Sequence, residues 1–450
     1  MKLDPARRGK LPCVGKPMSF QSPDGRFRGW KVAIPGGNSL ATPAVVNGRV
    51  FLGGGFGSFD FYAFNADDGS LAWQYQTRDD GPTAAVVDDD HVVFNTESCE
   101  LEVLRVDGTP VWKKWLGDPL MSMPAVANGR VYIAYPDSRG DRRHYLACFD
   151  LMTGHEYWKE PIEGEVITAP VLAEGHVHFS TLNGTVYRIR QNDGGVEWKQ
   201  PKNATSSPVV WESEYFFSQR FEVGNRDAAG HGAHQTEHLG SLTWEGVAHR
   251  YYEGTSRRAD YLDHGLRASG SPIYKTSTQK DAAVGWSHYK GDSKIQQAME
   301  NLGKGHVHAI WAYQGSKPFI SRARMYSAQG DTVSAADPRS DHLFWTKTVG
   351  RTEGDNKELL DSPLTPPAIV NGKLFFGSVT GEIHCLSAGS GEELWKVPVG
   401  EPIVFQPAVA RGRVYLGTDS GSLICLETGE PNDDGWLMWG ADATHNGRLD

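Results

Sequence analysis

Histidine is the residue type whose spacing first suggests chemistry: eight of the sixteen lie between His231 and His308. His231, His234 and His238 place three imidazoles in eight residues, and His306 and His308 would share one face of a strand. Imidazoles grouped in this way can ligate a metal. Their spacing matches no closed metal site, and His231 sits in the Gly-rich run 225–232, where histidine serves readily as a solvated loop residue. No metal is therefore expected, these three being the candidates if one were bound. Haem attachment through C-x-x-C-H is absent from the sequence. The run GGGFGSFD at 53–60 would suit a phosphate cradle, but no helical pattern follows to supply the dipole, so it reads as a long hairpin turn. Asp60, Asp137 and Asp260 could face a central channel, and solvation at the surface is the plainer reading. No Ser-His-Asp, H-E-x-x-H or phosphate-loop pattern occurs, and no catalytic residue is assigned.

These side chains must be carried by strands, because the chain repeats a strand signal eight times. An opening residue followed by three mostly apolar ones occurs at Pro43, Ala84, Pro124, Pro170, Pro208, Pro318, Pro367 and Pro407, seven of them in one register. A Trp follows about 30 residues later at Trp73, Trp112, Trp158, Trp198, Trp244, Trp345 and Trp395. Gly stands four places before each except Trp345, where Asp341 replaces it. Steps of 39, 46 and 40 residues separate the first four tryptophans, the period of a propeller blade. A lone blade buries too little apolar surface to stay ordered, so neighbours must stack and close radially. The eighth repeat lacks its Trp, and WKVAIPG at 30–36 copies WKVPVG at 395–400. The missing outer strand is assigned to the N-terminus, which closes the ring.

The stretch from Cys148 to Trp158, with Asp150, Thr153 and Gly154 in place, resembles the tryptophan-docking motif A-x-D-x-x-T-G-x-x-x-W of the pyrroloquinoline-quinone-like eight-bladed propellers. Ala63 to Trp73, Ala335 to Trp345 and Cys385 to Trp395 are looser copies. The resemblance implies an all-β fold of eight four-stranded antiparallel blades over 1–450, in which Trp30, Trp73, Trp112, Trp158, Trp198, Trp244, Trp345 and Trp395 dock between blades. It also implies a periplasmic or extracellular home. The expected function is a non-catalytic, monomeric scaffold for a protein or peptide, as in the outer-membrane assembly lipoproteins built from this repeat. No cofactor is expected. The alternative implied by the quinoprotein dehydrogenases is a redox propeller holding quinone, metal or haem, with PQQ and calcium as its cofactors. Those enzymes need an adjacent Cys pair, which this sequence lacks. A third reading is a carbohydrate-binding module using Tyr251, Tyr252 and Tyr261.

The 101 residues between Trp244 and Trp345 exceed one blade step, and an insertion at 253–305, with a short helix at 293–302, is expected between blades five and six. It is the expected docking site. A tail at 430–450, with Trp436 and Trp439, is expected to pack on the ring. A net charge of −10 argues against nucleic acid as the partner. The first ten residues hold no apolar core of a signal peptide, and no run approaches the roughly 18 apolar residues of a membrane span. Among the five cysteines, Cys148, Cys385 and Cys425 read as small buried fillers, while a bridge between Cys13 and Cys99 stays open.

Overall fold

The computed structural model describes residues 12–55, 57–97, 99–117, 122–137, 143–164, 166–167, 169–223, 234–258, 317–349 and 364–435. Among them lie eight antiparallel sheets, seven of four strands and one of five, arranged as the blades of a propeller. Each inner strand is three residues long and follows the expected opening, as in Ala44–Val46, Ala125–Ala127 and Ala368–Val370. These strands are covered on both faces and so read as apolar runs. In blade two the strand begins at Val86, which makes Ala85, not Ala84, the counterpart of proline. Asn-Gly at 47–48, 128–129 and 371–372 turns inner into second strand with both φ positive, the geometry of a tight hairpin.

The eighth blade closes as the copied motif requires. Its inner strands Ala408–Ala410, Arg413–Gly417 and Ser422–Glu427 are completed by Arg28–Ala33, with Trp30 opposite Cys425. Lys31 pairs with Glu401, and Arg413 reaches Asp67 of blade one. Met18–Gln21 adds a fifth strand outside the blade that the sequence did not announce.

Seams between blades share one construction. The indole N–H of Trp73 donates to Val106 O at 3.0 Å, that of Trp112 to Leu151 O at 2.7 Å, and that of Trp158 to Gln191 O at 3.0 Å. Trp30, Trp198 and Trp345 likewise reach Ala66, Trp244 and Ala388 in the following blade. The residue opposite the Trp on the third strand is small in most blades: Ala63, Cys148, Ala335, Cys385 and Cys425. Glycine four places before a Trp serves the preceding blade. Gly154 has φ +68°, and a Cβ there would lie 2.9 Å from the Trp112 ring.

Blade five departs from this plan. Trp244 is not in its outer strand, Ala248–Arg258, but in the turn before it. Its carbonyl accepts from Trp198 and from Arg188 Nη1 at 2.9 Å, and the Arg188 guanidinium lies 3.6 Å over its ring. Trp244 therefore belongs to the seam between blades four and five. The glycine under Trp198 is Gly246, and four residues on stands Arg250 instead of Trp. The next seam is held by Tyr252, whose hydroxyl donates to Pro338 O at 2.6 Å.

Residues 253–258, expected in the insertion, are part of that outer strand; 259–316, with His306, His308 and 293–302, lie outside the described residues. At the other end Asp433, fully buried, accepts from Lys373 Nζ at 2.9 Å and Asn371 Nδ2 at 3.0 Å, fastening the start of the tail to blade seven. Trp436 and Trp439 lie outside the described residues.

Candidate binding surface

The second, third and outer strands of blade five are the longest among the described residues. Glu214–Val223 and His234–Thr243 have 10 residues each and Ala248–Arg258 has 11, where blade four has 5, 6 and 6. The excess length carries the sheet past its neighbour. Gln219 pairs with His238, Phe221 with Thr236, and Gly240 with Tyr251, which sets Phe221, His238 and Tyr251 on one face. Phe221 is 41% exposed and Tyr251 50%. Between them His238 is buried, stacked on Phe221 at 4.6 Å and 11° and 4.0 Å from Tyr251.

Among the described residues neither ring nitrogen of His238 has a hydrogen-bond partner, and burial pushes its pKa down to about 4. At neutral pH it is an uncharged spacer that holds two aromatic rings apart. Beneath this shelf Thr205 Oγ1 donates to the buried Glu237 at 2.6 Å and meets Ser218 Oγ at 2.8 Å. On the outer strand Arg250 and His249 Nδ1 both engage Glu214. The overhang is thus braced from within while its aromatic faces remain accessible.

The other sequence-derived candidates do not converge. His231 lies outside the described residues, as do Asp260 and Tyr261, and only the backbone of His234 is described. Asp60 is buried and accepts from Gln74 at 2.9 Å, its pKa raised by burial; Asp137 faces Lys159 at 3.4 Å. Among the described residues no group of three or more His, Cys, Asp and Glu is placed to hold a metal. The strands Arg49–Gly53 and Asp60–Asn65 that flank the Gly-rich run at 53–60 pair as a hairpin, and Gly54 N–H donates to Asp60 O at 2.8 Å; Phe56 lies outside the described residues. All five cysteines are free; Cys13 is exposed and Cys99 buried, so the bridge left open is not made. Of the three tyrosines expected for sugar binding, Tyr261 lies outside the described residues and Tyr252 is buried in a seam, which leaves Tyr251 exposed.

Among the buried ionisable groups that sequence reading missed are Glu102 and Lys317. Glu102 sits fully buried with its carboxylate taking the Tyr75 hydroxyl at 2.6 Å, and burial pushes it up to about 7. Lys317 precedes the inner strand of blade six and is 2% exposed. The signal for Glu102 was a charge on a strand covered on both faces. For Lys317 it was a charge at the buried position before an opening proline.

The family model described as outer membrane protein assembly factor BamB matches residues 18–107, 100–219 and 329–447. The Yersinia pestis protein of that name is 25% identical over 166 residues, 33% of this chain and 41% of its own length. Quinohemoprotein alcohol dehydrogenase ADH-IIG of Pseudomonas putida is 26% identical over 177 residues, 35% of this chain and 24% of its own. The matches to these curated relatives thus span less than half of either protein. In fold, the chain resembles the crystal structure of BamB from Moraxella catarrhalis, with a TM-score of 0.56 at 12% identity, covering 92% of this chain and 100% of that one. The computationally designed Ika8 protein gives 0.58 at 12% identity over 88% and 98%. With eight closed blades, the docking tryptophans and a family match over most of its length, the chain belongs to the PQQ-like propeller family of the outer membrane protein assembly factor BamB.

Proposed function

We propose that this propeller is a non-catalytic scaffold that holds a protein or an extended peptide in the periplasm. The observation that carries the reading is the exposed pair Phe221 and Tyr251 on the blade-five overhang. Aromatic rings fixed on strands offer large contact area at low entropic cost. The assembly-factor relatives support a protein partner, and the overhang falls within residues 220–328, between the stretches that the family model matches. A partner particular to this chain would be read there.

The test is a pull-down from a native extract with the full chain, with Phe221→Ser/Tyr251→Ser, and with 259–305 replaced by a short linker. Loss of a reproducible protein partner in the double variant, with the ring still folded, supports the overhang. Equal recovery by all three chains contradicts it. Fractionation of the producing cell checks the compartment: recovery with the cytoplasm would overturn that part.

The quinohemoprotein match favours a redox reading. Cysteines at 13, 99, 148, 385 and 425 include no adjacent pair, and the described carboxylates form no calcium-like cluster. The sequence and the described residues do not fit that cofactor. Quinone- and calcium-dependent dye reduction by the purified chain would revive the enzymatic reading.

A further inference from the structure

One register recurs in every second strand. Leu52 stands opposite Tyr62, Phe179 opposite Tyr187 and Leu416 opposite Ile424, and in seven of the eight blades the second-strand member is a large buried apolar residue. It packs toward the preceding blade, as Leu52 does in one core with Tyr415 and Leu423. Blade six is the exception. There Ser327 stands opposite Ser334, with the two hydroxyls 3.2 Å apart.

These hydroxyls belong to a longer polar row. Side chains alternate along a strand, so Ser327 and Gln329 share the face of Met325, which packs on blade five. Gln329 pairs with Thr332, Thr332 with Thr348 and Ser334 with Thr346, all on that face. Ser327, Gln329, Thr332 and Ser334 are buried, while Thr346 and Thr348 are exposed where the row reaches solvent. By the same alternation blade five turns Ser218 and Arg220, with Glu237 opposite Arg220, toward this seam. Nearer the turns at 212–213 and 322–323 the seam is apolar: Phe216, Leu239 and Tyr252 pack with Met325 and Ala336. That end is also fastened, by Tyr252 to Pro338 O and by Arg339 Nε to Glu212 at 3.2 Å.

The two ends differ in what separation costs. Parting a regular seam exposes Phe, Leu or Tyr to water, which is unfavourable in proportion to the area uncovered. Parting the polar end of this one uncovers hydroxyl, amide and charged groups that water can bond in place of their present partners. We propose that the ring opens locally at the five–six seam, hinged on its apolar end, so that blade five swings against blade six while the other seams stay shut.

Thiol labelling of the full chain under native conditions tests this. Ser327→Cys sets a thiol at a position that is 1% exposed, and Cys385 and Cys425, buried in blades seven and eight, serve as references in the same molecule. Iodoacetamide should modify the new thiol at least about tenfold faster than either reference, read peptide by peptide by mass spectrometry. A rate no faster than theirs overturns the proposal. Amide exchange of the unsubstituted chain gives an independent reading, and decides the matter if the variant does not fold. Arg324–Gln329 and Thr332–Ala336 should exchange at least about tenfold faster than Lys373–Gly377 and Glu382–Ser387 of blade seven. Equal protection in the two blades overturns it as well.

Discussion

The seam between blades three and four and the seam between five and six solve the same problem with different side chains. In the first, Trp158 packs over Gly194 and donates to Gln191 O. In the second, Arg250 stands in the Trp position and the Tyr252 hydroxyl carries the bond to Pro338 O. The first plan recurs around the ring, because each Trp both fills a gap and satisfies a turn carbonyl. Blade five gives up that plan where its strands lengthen and present Phe221 and Tyr251. Regular seams hold the ring, and the irregular blade carries the surface proposed for recognition.

The comparison can be broken at its strongest point first. Gly154→Ala should cost about 3 kcal/mol, because it strains a left-handed turn and drives a methyl into the Trp112 ring. Chemical denaturation would measure it, and a loss under about 1 kcal/mol would show that the seam yields. Trp112→Ala removes the packing and the bond to Leu151, with an expected loss of about 3 kcal/mol by the same assay. Tyr252→Phe deletes the hydroxyl bond to Pro338 and should cost about 1 kcal/mol. A cost as large as that of Trp112→Ala would make the blade-five seam as firm as the regular ones.

Glu102 sharpens the picture through pH. Facing Tyr75, Lys113, Glu100 and Arg78, its pKa is raised from 4.5 to about 7 chiefly by burial. Between those values the unfolded chain loses its proton while the folded chain keeps it, so stability falls as pH rises through that window. Above it the full penalty remains. Glu102→Gln should flatten this slope in unfolding curves recorded from acid to neutral pH; an unchanged slope would remove Glu102 as its source. The smallest stability effect belongs to Phe221→Ser/Tyr251→Ser, expected within about 0.5 kcal/mol per site because both rings are exposed.

Architecture was legible because its signals are local and repeated. Proline-led apolar triplets mark inner strands, and the copy of Trp395 at Trp30 foretold the shared eighth blade. Met18–Gln21 escaped notice because a four-residue strand at the rim buries little: three of its residues are exposed and Phe20 is half-buried, too short a stretch for its alternation to stand out. Trp244 misled because Gly240 happens to precede it by four, whereas Gly246 and Arg250 occupy the true positions. The overhang was invisible for another reason. Strand length within a polar, His-rich stretch leaves no periodic trace, and Phe221, His238 and Tyr251 meet through register across three strands.

Amide hydrogen exchange of the full chain, with and without its captured partner, addresses the division of labour most directly. Slowed exchange concentrated in Glu214–Val223, His234–Thr243 and Ala248–Arg258 is the predicted result. Protection spread over other blades, with these three strands unchanged, would contradict it.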